Sequence, residues 1–82
     1  MGETKIFAQS DVEDALAIKT IKEVADSLEE KGYNAINQIV GYLMSGDPGY
    51  ISSYQEARTK IQKINRTKLL EVIVKEFIKW DF

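Results

Sequence analysis

Four groups of residues in this chain of 82 are of types that do chemistry. Adjacent carboxylates, Glu13 with Asp14 and Glu29 with Glu30, are candidates for acid–base work. The run "SGDPGY" at residues 45–50 could present backbone N–H groups to a phosphate. Five cations, Arg58, Lys60, Lys63, Arg66 and Lys68, form an anion-seeking segment free of acids. Thr4, in "GETKIF", offers a hydroxyl beside an acid and ahead of an Ile-Phe pair.

The first two groups fail as reaction centres. Neighbouring residues on a helix point to different faces, and nothing around these carboxylates implies the apolar pocket that would raise one pKa. The glycine-rich run lacks the lysine and hydroxyl of G-x-x-x-x-G-K-[ST], and G-x-G-x-x-G is absent. Asp47 alone supplies too few oxygens for calcium. The chain has neither histidine nor cysteine. That removes imidazole dyads, thiolate nucleophiles, disulfides and zinc sites of the usual kind. The expectation is a non-enzyme with no catalytic residue, no metal and no cofactor.

Helices must position what remains. Residues 1–10 show no helical stripe and read as an extended or mobile arm. Ser10 or Asp11 can cap a helix whose face is Ala17, Ile18, Ile21, Val24, Ala25 and Leu28. It should stop at Lys31, with Gly32 taking the left-handed position beyond. Asn34 caps a second helix with Ile36, Ile39, Val40 and Leu43 as its buried side, closed by Gly46. Asp47-Pro48 is a cap with proline at the first helical position, starting one turn that carries Tyr50 and Ile51. Gly41, in mid-helix, points to close packing against a neighbour. The overlapping capping boxes Ser52-x-x-Gln55 and Ser53-x-x-Glu56 start a third helix, with Tyr54, Ala57, Ile61 and Ile64 as its stripe. Its boundary with the last helix, near residues 65–67, is poorly marked, so the two could form one bent rod.

The final segment, residues 67–82, carries too much apolar surface. At about 100° per residue, Leu69, Leu70, Ile73, Val74, Phe77, Ile78 and Trp80 cover roughly half the circumference, with Val72 and Phe82 outside that arc. A surface helix needs a stripe only somewhat wider than about 100°. A second copy is the simplest source of cover, so a dimer interface of Leu70, Ile73, Val74, Phe77, Ile78 and Trp80 is expected. The alternative is deep burial of this helix in its own monomer.

Charge is segregated. Residues 11–30 hold seven acids against two lysines, a local charge of −5, while residues 58–68 hold five bases and no acid, +5. The basic segment either complements the acidic helix of the same or a second chain, or docks an acidic partner or phosphate through Arg58, Lys60, Lys63 and Arg66. The net charge of −2 and the lack of aromatics interleaved with these bases argue against nucleic acid. Apolar content of 44% with 29% charge suits one globular domain. No apolar run reaches the roughly 20 residues of a membrane span, and no signal peptide is visible. A soluble cytoplasmic location without membrane insertion is expected.

With these residues in place, "EEKGYNAINQIVGYLMSGDPGYI" closely resembles the signature of the IreB family of Gram-positive bacteria. The similarity extends from about Thr4 to Ile78. The resemblance implies a helical homodimer without catalysis, phosphorylated on an N-terminal threonine by a PASTA-domain Ser/Thr kinase and dephosphorylated by its phosphatase. It also implies regulation of peptidoglycan precursor synthesis and of tolerance to cell-wall antibiotics, through Clp-dependent degradation of MurA. The threonine it carries over is Thr4; Ser10 stands second. Departures are Ala35 where relatives have proline, Ser53 and Gln62 where arginine is common, and Thr67 where an acidic cap is usual.

The expectation is therefore an all-α fold: a compact bundle of four to five short helices per chain, paired as a symmetric homodimer. Residues 1–10 form the phosphoacceptor arm and residues 11–82 the dimerising domain. A different class of function, a small helical DNA-binding regulator using residues 58–68, stands as the alternative.

Overall fold

In the computed structural model, residues 9–79 are described. The first helix, α1 (Gln9–Glu30), is the spine against which the others pack. It starts ahead of the Ser10 or Asp11 cap that the sequence points to, so Asp11 falls inside its first turn. Its face is the expected one: Ala17, Val24 and Leu28 are fully buried, with Ile18, Ile21 and Ala25 packed at their edges. Two bonds close the helix, Gly32 N to Glu29 O at 2.9 Å and Tyr33 N to Leu28 O at 2.9 Å. Gly32 sits at φ +89°. This is the paired-bond ending that a left-handed glycine permits.

Asn34 then accepts from Asn37 N at 3.0 Å and opens α2 (Ala35–Ser45). Gly46, at φ +76°, ends it by donating to Tyr42 O. The buried side of α2 differs from the expected one. Ala35 and Tyr42 are its buried residues, with Ile39 and Leu43 half-buried, whereas Ile36 and Val40 stand 71% and 51% exposed. Hydropathy spacing gives an arc, but the neighbours' direction decides which part of it faces inward. Here α1 takes the side of Ala35 and Tyr42. The large tyrosine ring, apolar in body, is used as core.

Asp47 accepts from Gly49 N at 2.8 Å and starts a single 3-10 turn, Pro48–Tyr50. That turn delivers Ile51 into the core. Ser52 N donates to Gln38 Oε1 at 2.9 Å, pinning the following loop to α2. A second 3-10 turn, Tyr54–Glu56, precedes α3 (Ala57–Gln62).

The two capping boxes are not formed. Ser53 makes no capping bond, Ser52 Oγ accepts from Tyr54 N instead, and Gln55 and Glu56 take positive φ of 51° and 61°. Gln55 is diverted: Ser27 Oγ, buried on α1, donates to its Oε1 at 2.7 Å. A tertiary bond has overridden a local helix signal. Of the stripe expected for the third helix, Ala57 and Ile61 lie on α3 and are buried, whereas Tyr54, in the preceding 3-10 turn, and Ile64, beyond the helix end, are half-buried.

Asn65 resolves the poorly marked boundary. Its Oδ1 accepts from Thr67 N at 2.7 Å and its carbonyl from Leu69 N at 3.0 Å, so α4 (Arg66–Lys79) starts as a separate helix. On α4 the core-facing residues are Leu69 and Val72, both 1% exposed. Val72 thus belongs to the core, although it lies outside the apolar arc. Leu70, Ile73, Val74, Phe77 and Ile78 are exposed within the protomer, so α4 is not deeply buried in its own chain. Trp80 and Phe82 lie outside the described residues.

Candidate functional site

The basic segment is largely committed to the fold. Arg58 Nε donates to Ile51 O at 2.8 Å, holding the loop before α3. Arg66 Nη1 donates to Leu43 O at 2.9 Å, covering a carbonyl that the end of α2 leaves without a helical partner. Lys68 Nζ lies 2.9 Å from Asp14 Oδ1 and 2.9 Å from Glu71 Oε1. Lys75 Nζ lies 3.0 Å from Asp14 Oδ2 and 3.6 Å from Glu71 Oε2. These four residues make a closed ring of alternating charge that ties α4 to the acidic start of α1.

Electrostatics follow from that ring. Hydrogen bonds from Lys68 and then Lys75 hold the Asp14 carboxyl below its ordinary value. Glu71 is likewise lowered, chiefly by Lys68. Lys68 is pushed well above the usual lysine range by Asp14 and then Glu71, and Lys75 upward by Asp14. All four stay charged across the neutral range. Part of the charge segregation is thus internal complementarity between the acidic helix and the basic segment. Of the four expected docking cations, the ammonium groups of Lys60 and Lys63 have no hydrogen bond or ion pair among the described residues, while Arg58 and Arg66 each spend one side-chain N–H on a backbone carbonyl.

Apolar surface is the second feature. Twelve large apolar or aromatic side chains are exposed among the described residues, against six large side chains that are fully buried. Five of the twelve line one side of α4. Beside them, between α1 and α4, lies an open groove of about 310 Å³ lined by Ile18, Ile21, Val72, Ile73 and Phe77, with Lys22 and Glu76 among its walls. A second exposed stripe, Ile36, Val40 and Met44, runs along α2 at helical spacing, Met44 being 81% exposed. Contiguous apolar surface of this kind marks interaction sites.

A sequence model of the family described as IreB regulatory phosphoprotein matches residues 2–79. The chain belongs to the IreB family. An IreB regulatory phosphoprotein is one whose role is regulation and which carries a phosphoacceptor.

The acceptor expected from the IreB resemblance, Thr4, lies outside the described residues, as does Trp80 of the expected dimer face. Ser10, the second choice, falls on the helical backbone of α1's first turn. The structure brings together Leu70, Ile73, Val74, Phe77 and Ile78 on α4. Arg58 and Lys60 lie on α3, Lys63 just beyond it, and Arg66 at the start of α4. Sequence reasoning missed the α2 stripe and the Ser27–Gln55 bond. The stripe's i, i+4, i+8 spacing was visible, but its outward direction was not. No helix among the described residues is long and apolar enough to cross a membrane.

Proposed function

We propose that this IreB-family chain is a cytoplasmic switch in cell-wall synthesis that works by binding. A PASTA-domain Ser/Thr kinase modifies Thr4 and a cognate phosphatase reverses it. The protein controls peptidoglycan precursor supply, and with it tolerance to cell-wall antibiotics, through Clp-dependent turnover of MurA. The single observation that carries this reading is the family match, which spans Thr4 and all four helices. Phosphate on Thr4 adds about −1.5 to −2 charges and three strong acceptors. That is enough to change how an arm meets the cations of residues 58–68.

The working form is a homodimer joined through Leu70, Ile73, Val74, Phe77 and Ile78, with Trp80 beyond them. What supports it is their exposure in the protomer, in a chain whose core is small for its length. The partner surface is Arg58, Lys60, Lys63 and Arg66.

An in vitro kinase assay comparing wild type with Thr4→Ala tests the first step; undiminished labelling of the variant would move the switch off Thr4. Light scattering tests the dimer, which a monomer at micromolar concentration would remove. DNA binding through residues 58–68 is disfavoured, because the chain carries a net charge of −2 and no aromatics are interleaved with these bases. A gel shift that persisted at moderate salt would revive it.

A further inference from the structure

Residues 52–57 hold two preferences that cannot both be met. The local one is helical: each serine of the pair is followed three residues later by the Gln or Glu of a capping box. The fold denies it. Gln55 and Glu56 sit at φ 51° and 61°, a region that glycine and, less readily, asparagine or aspartate occupy. What holds them there is tertiary. Ser27 is 6% exposed and spends its hydroxyl on Gln55 Oε1 at 2.7 Å. The Lys31 ammonium stands over the Tyr54 ring, 5.3 Å from its centre. With Gln55 and Glu56 left-handed in this turn, Arg58 Nε reaches back to Ile51 O. Strained backbone that persists only because its surroundings over-determine it is concentrated at switch regions.

We propose that residues 52–57 are a two-state element. One state is the loop described above, latched by Ser27–Gln55. In the other, α3 extends back to Ser53, with Ser53 and Glu56 forming the capping box that the sequence encodes. Rewinding residues 54–56 moves Ile51 relative to α3, so Arg58 loses its carbonyl and turns to an acidic or phosphorylated partner. This last step rests on the docking role proposed above for Arg58; the two-state element does not. A partner that binds Arg58 only when released draws the equilibrium toward the helical state by its difference in affinity for the two.

NMR on the full chain tests both parts. In Ser27→Ala, the three-bond HN–Hα couplings of Gln55 and Glu56 should fall from left-handed to helical values, and contacts of the Glu56 side chain with the Ser53 amide, beyond the Glu56 N–Ser53 O bond that the loop already makes, should appear. In Glu56→Gly, where glycine accepts the left-handed angle freely, the loop state is favoured; amides of residues 55–58 should exchange about fivefold more slowly than in wild type. A folded Ser27→Ala that keeps left-handed couplings, or a Glu56→Gly whose exchange is unchanged or faster, overturns the two-state element. A phosphothreonine peptide with the sequence of residues 1–8 should move the wild-type spectrum toward that of Ser27→Ala. If Ser27→Ala switches and the peptide moves nothing, the latch stands and the gating of Arg58 is refuted.

Discussion

The ring of Tyr50 occupies the space that a side chain at Gly41 would need: a β-carbon built there collides with Tyr50 Cδ1. Gly41 is in the interior of α2, where glycine costs about 0.5–1 kcal/mol relative to alanine, and Tyr50 closes the 3-10 turn that follows. The mid-helix glycine is therefore a packing device, letting the turn fold flat on the helix and carry Ile51 into the core. Gly41→Ala should lower stability by about 1 kcal/mol, because displacing the ring outweighs the helical gain. That is a fall of about 4–8 °C in Tm for a chain of this size. In a Tyr50→Ala background the sign should reverse, since the alanine then meets no ring. Thermal unfolding of the four proteins decides it; a Gly41→Ala more stable than wild type refutes the steric reading.

How much of this was legible in the sequence depended on how local the cause was. Gly32, Asn34, Gly46 and Asp47-Pro48 do what their backbone chemistry dictates, because a cap or a left-handed turn involves only its neighbours. The stripe of α1 was legible too, since it has one buried side, as were Ala57 and Ile61 on α3, though not where α3 begins and ends. On α2 and α4 apolar residues occupy more than one side, and periodicity cannot say from where the next helix arrives. Hence Ile36 and Val40 were placed inside and Val72 left out of the arc. Gln55 was misread because its partner is Ser27, 28 residues away. For the candidate site, the cations of residues 58–68 were visible as a cluster, but not that Arg58 and Arg66 would be bonded to backbone carbonyls.

Val72 and Val74 separate folding from association on a single helix. Val72 is 1% exposed and Val74 54%. Val72→Ala should cost about 2 kcal/mol through lost methyl burial and the cavity left behind. Val74→Glu should leave the helical circular dichroism unchanged and shift light scattering toward monomer. A Val74→Glu that stays dimeric would exclude this side of α4 from the interface.

Asp14 gives a pH signature of defined sign. Its carboxyl is held below the ordinary range by Lys68 and then Lys75. A carboxyl lowered by folding contributes stability that is complete above its unfolded value of about 3.9 and is lost as pH falls through the folded value. Urea midpoints of wild type should therefore exceed those of Asp14→Asn at pH 5 to 7, with the gap closing below about pH 4. The raised Lys68 mirrors this, with loss only above about pH 10.4, as pH rises through its folded value. Added salt should narrow the gap, because the ring is partly exposed. A gap independent of pH would remove the charge ring as its cause.

Gly32 and Gly46 both end helices at positive φ, yet alanine should not cost the same at each. A β-carbon at Gly32 meets nothing within 4 Å, so Gly32→Ala carries only the left-handed penalty of about 1–2 kcal/mol. At Gly46 the same atom comes within 2.9 Å of the Arg66 guanidinium, which is bonded to Leu43 O at 2.9 Å. Gly46→Ala must push that side chain aside and strip a carbonyl at the end of α2, adding about 1 kcal/mol. The excess should vanish when both glycine substitutions are made in an Arg66→Ala background, where no guanidinium remains to be displaced. Chemical denaturation of these variants checks it. Equal costs in the wild-type background would mean that Arg66 yields freely and that its bond to Leu43 adds little to the junction of α2 with α4.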